Sequence, residues 1–153
     1  MATNYIQSAA GVNNPILTLT INGTTSTTAT NLLIPTLQDV TISNANNVFS
    51  WTQLNESAAL QVATIANNSI SSNIVVETTT FFGDSTAASW SAARQGLIGL
   101  STNKTKANFS INLGTKTISG VGYVTGLAPK VTADQPVWLT PITIAVSGEY
   151  TVA

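Results

Sequence analysis

The chain has 153 residues, of which 43% are hydrophobic and only 7% charged, and its formal net charge is −1. It contains no histidine and no cysteine, which removes the usual general base, the imidazole and thiolate metal ligands, the thiol nucleophile and any disulfide. Five basic residues cannot make the electrostatic footprint of a nucleic-acid binder, and no stretch is long and apolar enough for a membrane span.

A mean hydropathy of +0.24 with almost no net charge is the opposite of a disordered composition. The polar surface must therefore be Ser, Thr, Asn and Gln. Such groups are covered by a partner at lower desolvation cost than Lys or Glu, and a surface near zero net charge favours association. The length suits one domain, 1–153, with its own core. The start, Met1 to Ile6, has neither a basic nor an apolar signal-peptide region. Sequons at Asn22, Asn55, Asn67, Asn103 and Asn108 are what chance gives in so Asn-, Ser- and Thr-rich a chain.

In chain order, Ile16 to Ile21 reads as a strand, with Leu17, Leu19 and Ile21 on one face, ended by the turn signal Asn22-Gly23. Thr24 to Asn31 has no clear period and reads as an extended edge or loop. Asp39 to Ile42 and Val48 to Leu54 are strand candidates on either side of Asn44-Ala45-Asn46-Asn47. Ser57 to Ala66 fits neither period. The low charge and length of this region suggest either a variable surface loop or an arm within Thr41 to Ser72 that orders against neighbouring subunits. Ile74 to Phe82 reads as a strand stopped by Gly83. A helix follows over about 85–98, capped by Ser85 or Asp84, with Trp90, Ala93, Leu97 and Leu100 as its apolar stripe and Gly96 and Gly99 loosening its end. Phe109, Ile111 and Leu113 alternate with polar residues, and Gly114 turns the chain into a returning strand over Lys116 to Leu127. In the last segment Trp138, Thr140, Ile142, Ile144 and Val146 share a face, Pro141 suggests an edge or a bulge, and Gly148 breaks the strand before Glu149 to Val152. The order gives a mostly β, α+β fold: a sandwich or barrel with one flanking helix and an extended loop or arm before it.

No motif carries catalysis. Gly120-x-Gly122-x-x-x-Gly126 has its third glycine one place too late for a dinucleotide fingerprint and lies in a strand, where glycines permit bending or close approach. The acids Asp39, Glu56, Glu77, Asp84, Asp134 and Glu149 are scattered, and surface, cap and turn roles account for them; a carboxylate pair brought together in space would be needed for hydrolysis. Arg94 reads as an ion-pairing or stacking residue. No Gly-x-Ser-x-Gly elbow occurs, and a serine would have no histidine to activate it. Trp51, Trp90 and Trp138 could form a sugar-binding platform, but they lie on separate elements, and core packing is the expectation for at least two of them. No catalytic, cofactor-binding or metal-binding residue is assigned.

The second half carries a family resemblance. Trp90-Ser91-Ala92-Ala93-Arg94-Gln95-Gly96-Leu97 is similar to the short helix that precedes the closing sheet of phage tail tube proteins. The runs Ala107 to Leu113 and Lys116 to Val124 resemble the next two strands of that family, and Pro141 to Val152 resembles its last strand, with a Gly-acid-apolar ending. The match covers about residues 85 to 153 and is one of pattern and order. It implies a structural, non-enzymatic virion protein without cofactors. Six copies would form a ring through sheets joined into an inner barrel, and rings would stack into a hollow tube bridged by loops and termini. Partners would be further copies and other tail proteins such as a sheath, with DNA only as passing cargo. A lumen that conducts DNA should lack net positive charge, so Lys104, Lys106, Lys116 and Lys130 should not all face it. The alternatives are another virion β-protein, such as a capsid decoration or tail-completion protein, and a carbohydrate-binding β-module.

Overall fold

The computed structural model describes residues 15–21, 31–114 and 116–153. The Asn22-Gly23 turn and the Thr-rich run up to residue 30 lie outside these, as does the start at Met1 to Ile6. Nine strands and two helices follow in the order β1 (Leu17–Ile21), β2 (Leu32–Ile34), β3 (Thr41–Trp51), β4 (Leu60–Val75), α1 (Thr78–Phe82), α2 (Ala92–Thr102), β5 (Ala107–Asn112), β6 (Thr117–Thr125), β7 (Lys130–Thr132), β8 (Gln135–Val146) and β9 (Thr151–Val152). The mostly β, α+β expectation is met.

All nine strands form one antiparallel sheet in the order β2-β1-β5-β6-β8-β4-β3, with β7 added beside β8 and β9 beside β6. Thr36 to Gln38 links the two sides of this order. The chain leaves β2, which lies against β1, and then bonds to β4: Gln38 N–H donates to Asn73 O (2.8 Å) and Val75 N–H to Thr36 O (3.3 Å). The sheet therefore curls round one core, as in a barrel. Asp39 fastens the crossing by accepting from the backbone N–H and the side-chain amide of Asn73, each at 2.8 Å.

Alternation fills that core. Leu17 and Leu19 of β1, Ile70 and Ile74 of β4, Phe109 and Ile111 of β5, and Ile142 and Ile144 of β8 are all buried. Phe109 lies across Gly120 on the paired strand, where a Cβ would stand 2.9 Å from its ring, so the glycines of β6 serve close approach. Truncation of Phe109 to alanine should cost about 3–5 kcal/mol, a cavity effect, read as a fall in the thermal midpoint.

The helical region departs from the sequence reading. Thr78–Phe82, expected as the end of a strand, is the short helix α1, because β4 leaves the sheet after Val75 and Phe81 turns into the core. The expected helix over 85–98 instead spans Ala92–Thr102 and is capped by Ser91, whose hydroxyl accepts from Arg94 N–H (3.2 Å). Asp84 caps only a turn, accepting from the Thr86 hydroxyl (2.6 Å) and N–H (2.9 Å). These bonds, the hydroxyl first, hold its carboxyl below the ordinary value. Arg94 fastens the same loop by donating to Ser85 O (2.6 Å) and Ala87 O (3.1 Å).

Gly96 does not fray a helix end. At φ 64° it kinks α2 in the middle, where α2 meets Gly83 backbone to backbone. Leu97 and Leu100 are buried in the core as the stripe implied, whereas Trp90 lies before the helix and is 75% exposed.

Candidate assembly surface

β3 and β4 pair from Thr41↔Ser71 to Trp51↔Leu60. The last partner of β4 on β8 is Ala145, opposite Ser69. Among the described residues, Leu60 to Asn68 of β4 therefore overhangs β8 with only β3 at its side, a two-stranded arm of roughly 30 Å at about 3.4 Å per residue. The expected loop or arm within Thr41 to Ser72 is thus a hairpin with its root in the sheet. Ser57 to Ala66, which fits neither period, supplies its turn and the start of β4.

The arm has three chemical zones. Near the root it is amide-rich, with Asn44, Asn46, Asn67 and Asn68. A register shift between Asn46 and Val48 follows, and Thr64 Oγ1 there donates to Asn47 O at 3.1 Å. Beyond the shift, Phe49 pairs with Val62 and Trp51 with Leu60. Alternation puts these four on one face, and the Phe49 and Trp51 rings stack with centroids 5.8 Å apart. This face is bare: Phe49 is 59% exposed and Val62 50%, while Ile65 elsewhere on the arm is 72% exposed. The only charged residue from Val40 to Val76 is Glu56, in the turn.

β3 also ends the strand order, so among the described residues its outer edge has no partner. It runs eleven residues without a charge or a proline. Long, flat, uncharged edges are templates for another chain, and proteins that stay monomeric blunt them with Lys, Pro or short length. The strand register places a second bare hairpin at the opposite end of β8. Gln135 to Trp138 runs past Val75, the last residue of β4, and pairs with β7. Val131, Val137 and Trp138 are exposed there. Trp138 shares a face with the buried Ile142 and Ile144 but has passed beyond the sheet that covers them.

The other residues singled out from the sequence converge on no reaction centre. Asp39 ties β4, Asp84 a turn, Glu77 stands at the start of α1 with its carboxylate accepting from the Thr79 hydroxyl, Glu56 and Asp134 sit in hairpin turns, and Glu149 follows the Gly148 turn. Among the described residues no cluster of acids could hold a metal ion, and no helix is long and apolar enough to cross a membrane. The four lysines are exposed on separate segments: the turn after α2, the residue before β5, the β5–β6 turn and β7. The expectation that at least two tryptophans pack in the core fails: Trp51, Trp90 and Trp138 are all exposed, Trp51 least. Pro141 was expected at an edge or a bulge; β8 is an interior strand of the order, but among the described residues only its β4 side is paired at Pro141. Pro141 occupies the gap between its β6 partners, which begin at Thr143, and its β7 partners, which end at Leu139.

No protein-family model matches the chain, and neither does any curated protein. Solved structures do match. A chain of the SPP1 tail tube aligns at a TM-score of 0.62 with 10% identity, over 89% of this chain and 75% of that one. A chain of the six-fold symmetrised anti-feeding prophage baseplate aligns at 0.61 with 12% identity, over 96% and 97%. A chain from the tail of an empty gene transfer agent particle, refined with C6 symmetry, aligns at 0.57 with 12% identity, over 90% and 95%. At such identities the likeness is one of fold, and the curled sheet with its packed helices is the fold that this chain shares with components of tails and baseplates.

Proposed function

We propose that this protein is a tail tube subunit of a virion or a related injection particle, that it assembles into six-membered rings, and that the rings stack into a hollow tube. The observation that carries this reading is the arm: an uncharged edge strand and an apolar tip held out from a folded body. A monomer would leave both wet, whereas a ring of copies covers strand edges, and head-to-tail stacking of rings extends them into a filament. The C6 symmetry of the matched assemblies favours six copies. In this reading the protein is structural and without catalysis or cofactor, its further partners are other tail components such as a sheath, and DNA is passing cargo.

Negative-stain microscopy of the purified protein tests the proposal. Stacked hollow rings are expected. Discrete small rings would point instead to a decoration or completion protein, and dispersed monomers that bind glycans to a sugar-binding module.

Salt dependence gives a second test. The proposed contacts are almost uncharged, so the concentration at which sedimentable tubes appear should change by less than about twofold between low and high salt, where charged contacts would be screened. A lumen without net positive charge should also leave double-stranded DNA unretained by the tubes at physiological salt. Retention that weakens steeply as salt rises would show phosphate binding and contradict the cargo role.

A further inference from the structure

A two-stranded ribbon is marginal alone and twists readily, so whatever grips the arm where it leaves β8 sets its direction. The residues after β8 do this. Gly148, at φ 103°, turns the chain back, and Asn68 Nδ2 donates to Gly148 O at 2.8 Å. The Tyr150 hydroxyl lies 2.5 Å from Ser43 O and 2.8 Å from Ser69 O. Ser43 and Ser69 are register partners on the two strands of the arm, so a single phenol O–H, shared between their two carbonyls, holds both strands at the root. The gripping segment is itself fixed to the sheet: Ser147 N–H donates to Val121 O (2.7 Å), β9 pairs with Ile118 and Ser119, and Thr117 and Ala153 exchange backbone bonds of 2.9 and 3.0 Å.

We propose that Tyr150 is a positioning residue for assembly: with Asn68 it locks the arm at one exit angle from the barrel, so that the arm is presented pre-set to a second copy of this chain. The inference rests on the tube reading above. A rigid arm loses less freedom on docking and so binds more tightly without any new contact. Two further observations support it. Asn68 Oδ1 is buried with no donor among the described residues, a cost to stability that an apolar residue would avoid, though only by giving up the bond to Gly148. Burial also raises the pKa of Tyr150 above its ordinary value, against the opposing effect of its bond to Ser69, so the hydroxyl, a donor at neutral pH in any case, is partly withdrawn from competing water.

The absence of cysteine makes the test direct. Spin labels on Asn55→Cys, in the arm turn, and Lys106→Cys, before β5, report the arm-to-barrel distance by pulsed electron paramagnetic resonance in dilute protein. The parent should give one narrow distance. Tyr150→Phe should broaden the distribution, leave the melting temperature within a few degrees of the parent, and raise the concentration at which tubes appear by about tenfold, the effect of one lost hydrogen bond. Asn68→Ser cuts the other tie and should act in the same direction, which keeps the test open if Tyr150→Phe folds poorly. A distribution that stays narrow in both variants overturns the proposal, as does a broadened arm with unchanged tube onset. If the parent forms no tubes at all, the tube reading fails and the assembly role of Tyr150 with it, while the distances still report whether the lock exists.

Discussion

Replacing Phe49 and Trp51 together by serine should leave the barrel folded and abolish tube formation at concentrations where the parent assembles fully. Both rings lie on the exposed face of the arm and belong to no part of the core. The melting temperature should therefore stay within a few degrees of the parent. Aromatic anchors desolvated at an interface typically cost about 2–4 kcal/mol each when truncated. Even a combined loss of about 4 kcal/mol weakens a contact roughly a thousandfold, and every subunit in a stacked tube would bear it. Sedimentation and microscopy read the loss, and circular dichroism confirms the fold. Tubes that form normally from the double variant would show that the arm is not the adhesive element.

The second large effect belongs to the body. Gly96→Ala should destabilise the fold by about 4 kcal/mol. Gly96 sits at φ 64°, ψ −178°, a region that L-residues rarely adopt. A Cβ there would stand 2.4 Å from Gly83 N and 2.7 Å from Phe81 O. Both obstacles are backbone, so no side chain can swing aside. For a chain of this size the loss corresponds to a fall of roughly 8–16 °C in the thermal midpoint. Gly83→Ala should behave alike, because its Cβ would meet Arg94 O at 2.2 Å. A midpoint within two or three degrees of the parent would mean that the two helices do not cross backbone to backbone.

What was legible in the sequence follows burial. β1, β5 and the second half of β8 have one face on the core, so selection for packing leaves a period of two in Leu17/Leu19/Ile21, Phe109/Ile111 and Ile142/Ile144. The distal arm packs on neither side among the described residues and records no such period, so Ser57 to Ala66 is unreadable by period even though most of it is strand. The single signal there was the missing charge, which pointed to a covered surface without giving its shape. α1 was hidden because Thr and Phe favour strands by propensity, while the tertiary need to bury Phe81 and bring Gly83 against Gly96 imposes a helical turn. The helix start was misplaced for a related reason: an aspartate followed by threonine serves a turn as well as a helix cap, and only packing shows that Trp90 stays outside. The ties from Tyr150 to Ser43 and Ser69 join residues far apart in the chain through backbone carbonyls, which any residue would supply, so no residue pattern marks them.

The crossing at Thr36 to Gln38 has a kinetic consequence. The arm is a local hairpin, whose partners can meet within microseconds. The barrel needs β1 to find β5 and β4 to find β8 across roughly half of the chain, and sheets built from such distant pairings close in milliseconds to seconds. During that interval the two strands of the arm form and part beside an open body, their uncharged edge and apolar side chains uncovered. Recovery on dilution from denaturant should therefore fall as protein concentration rises, and slow dilution or a chaperone that isolates single chains should restore it.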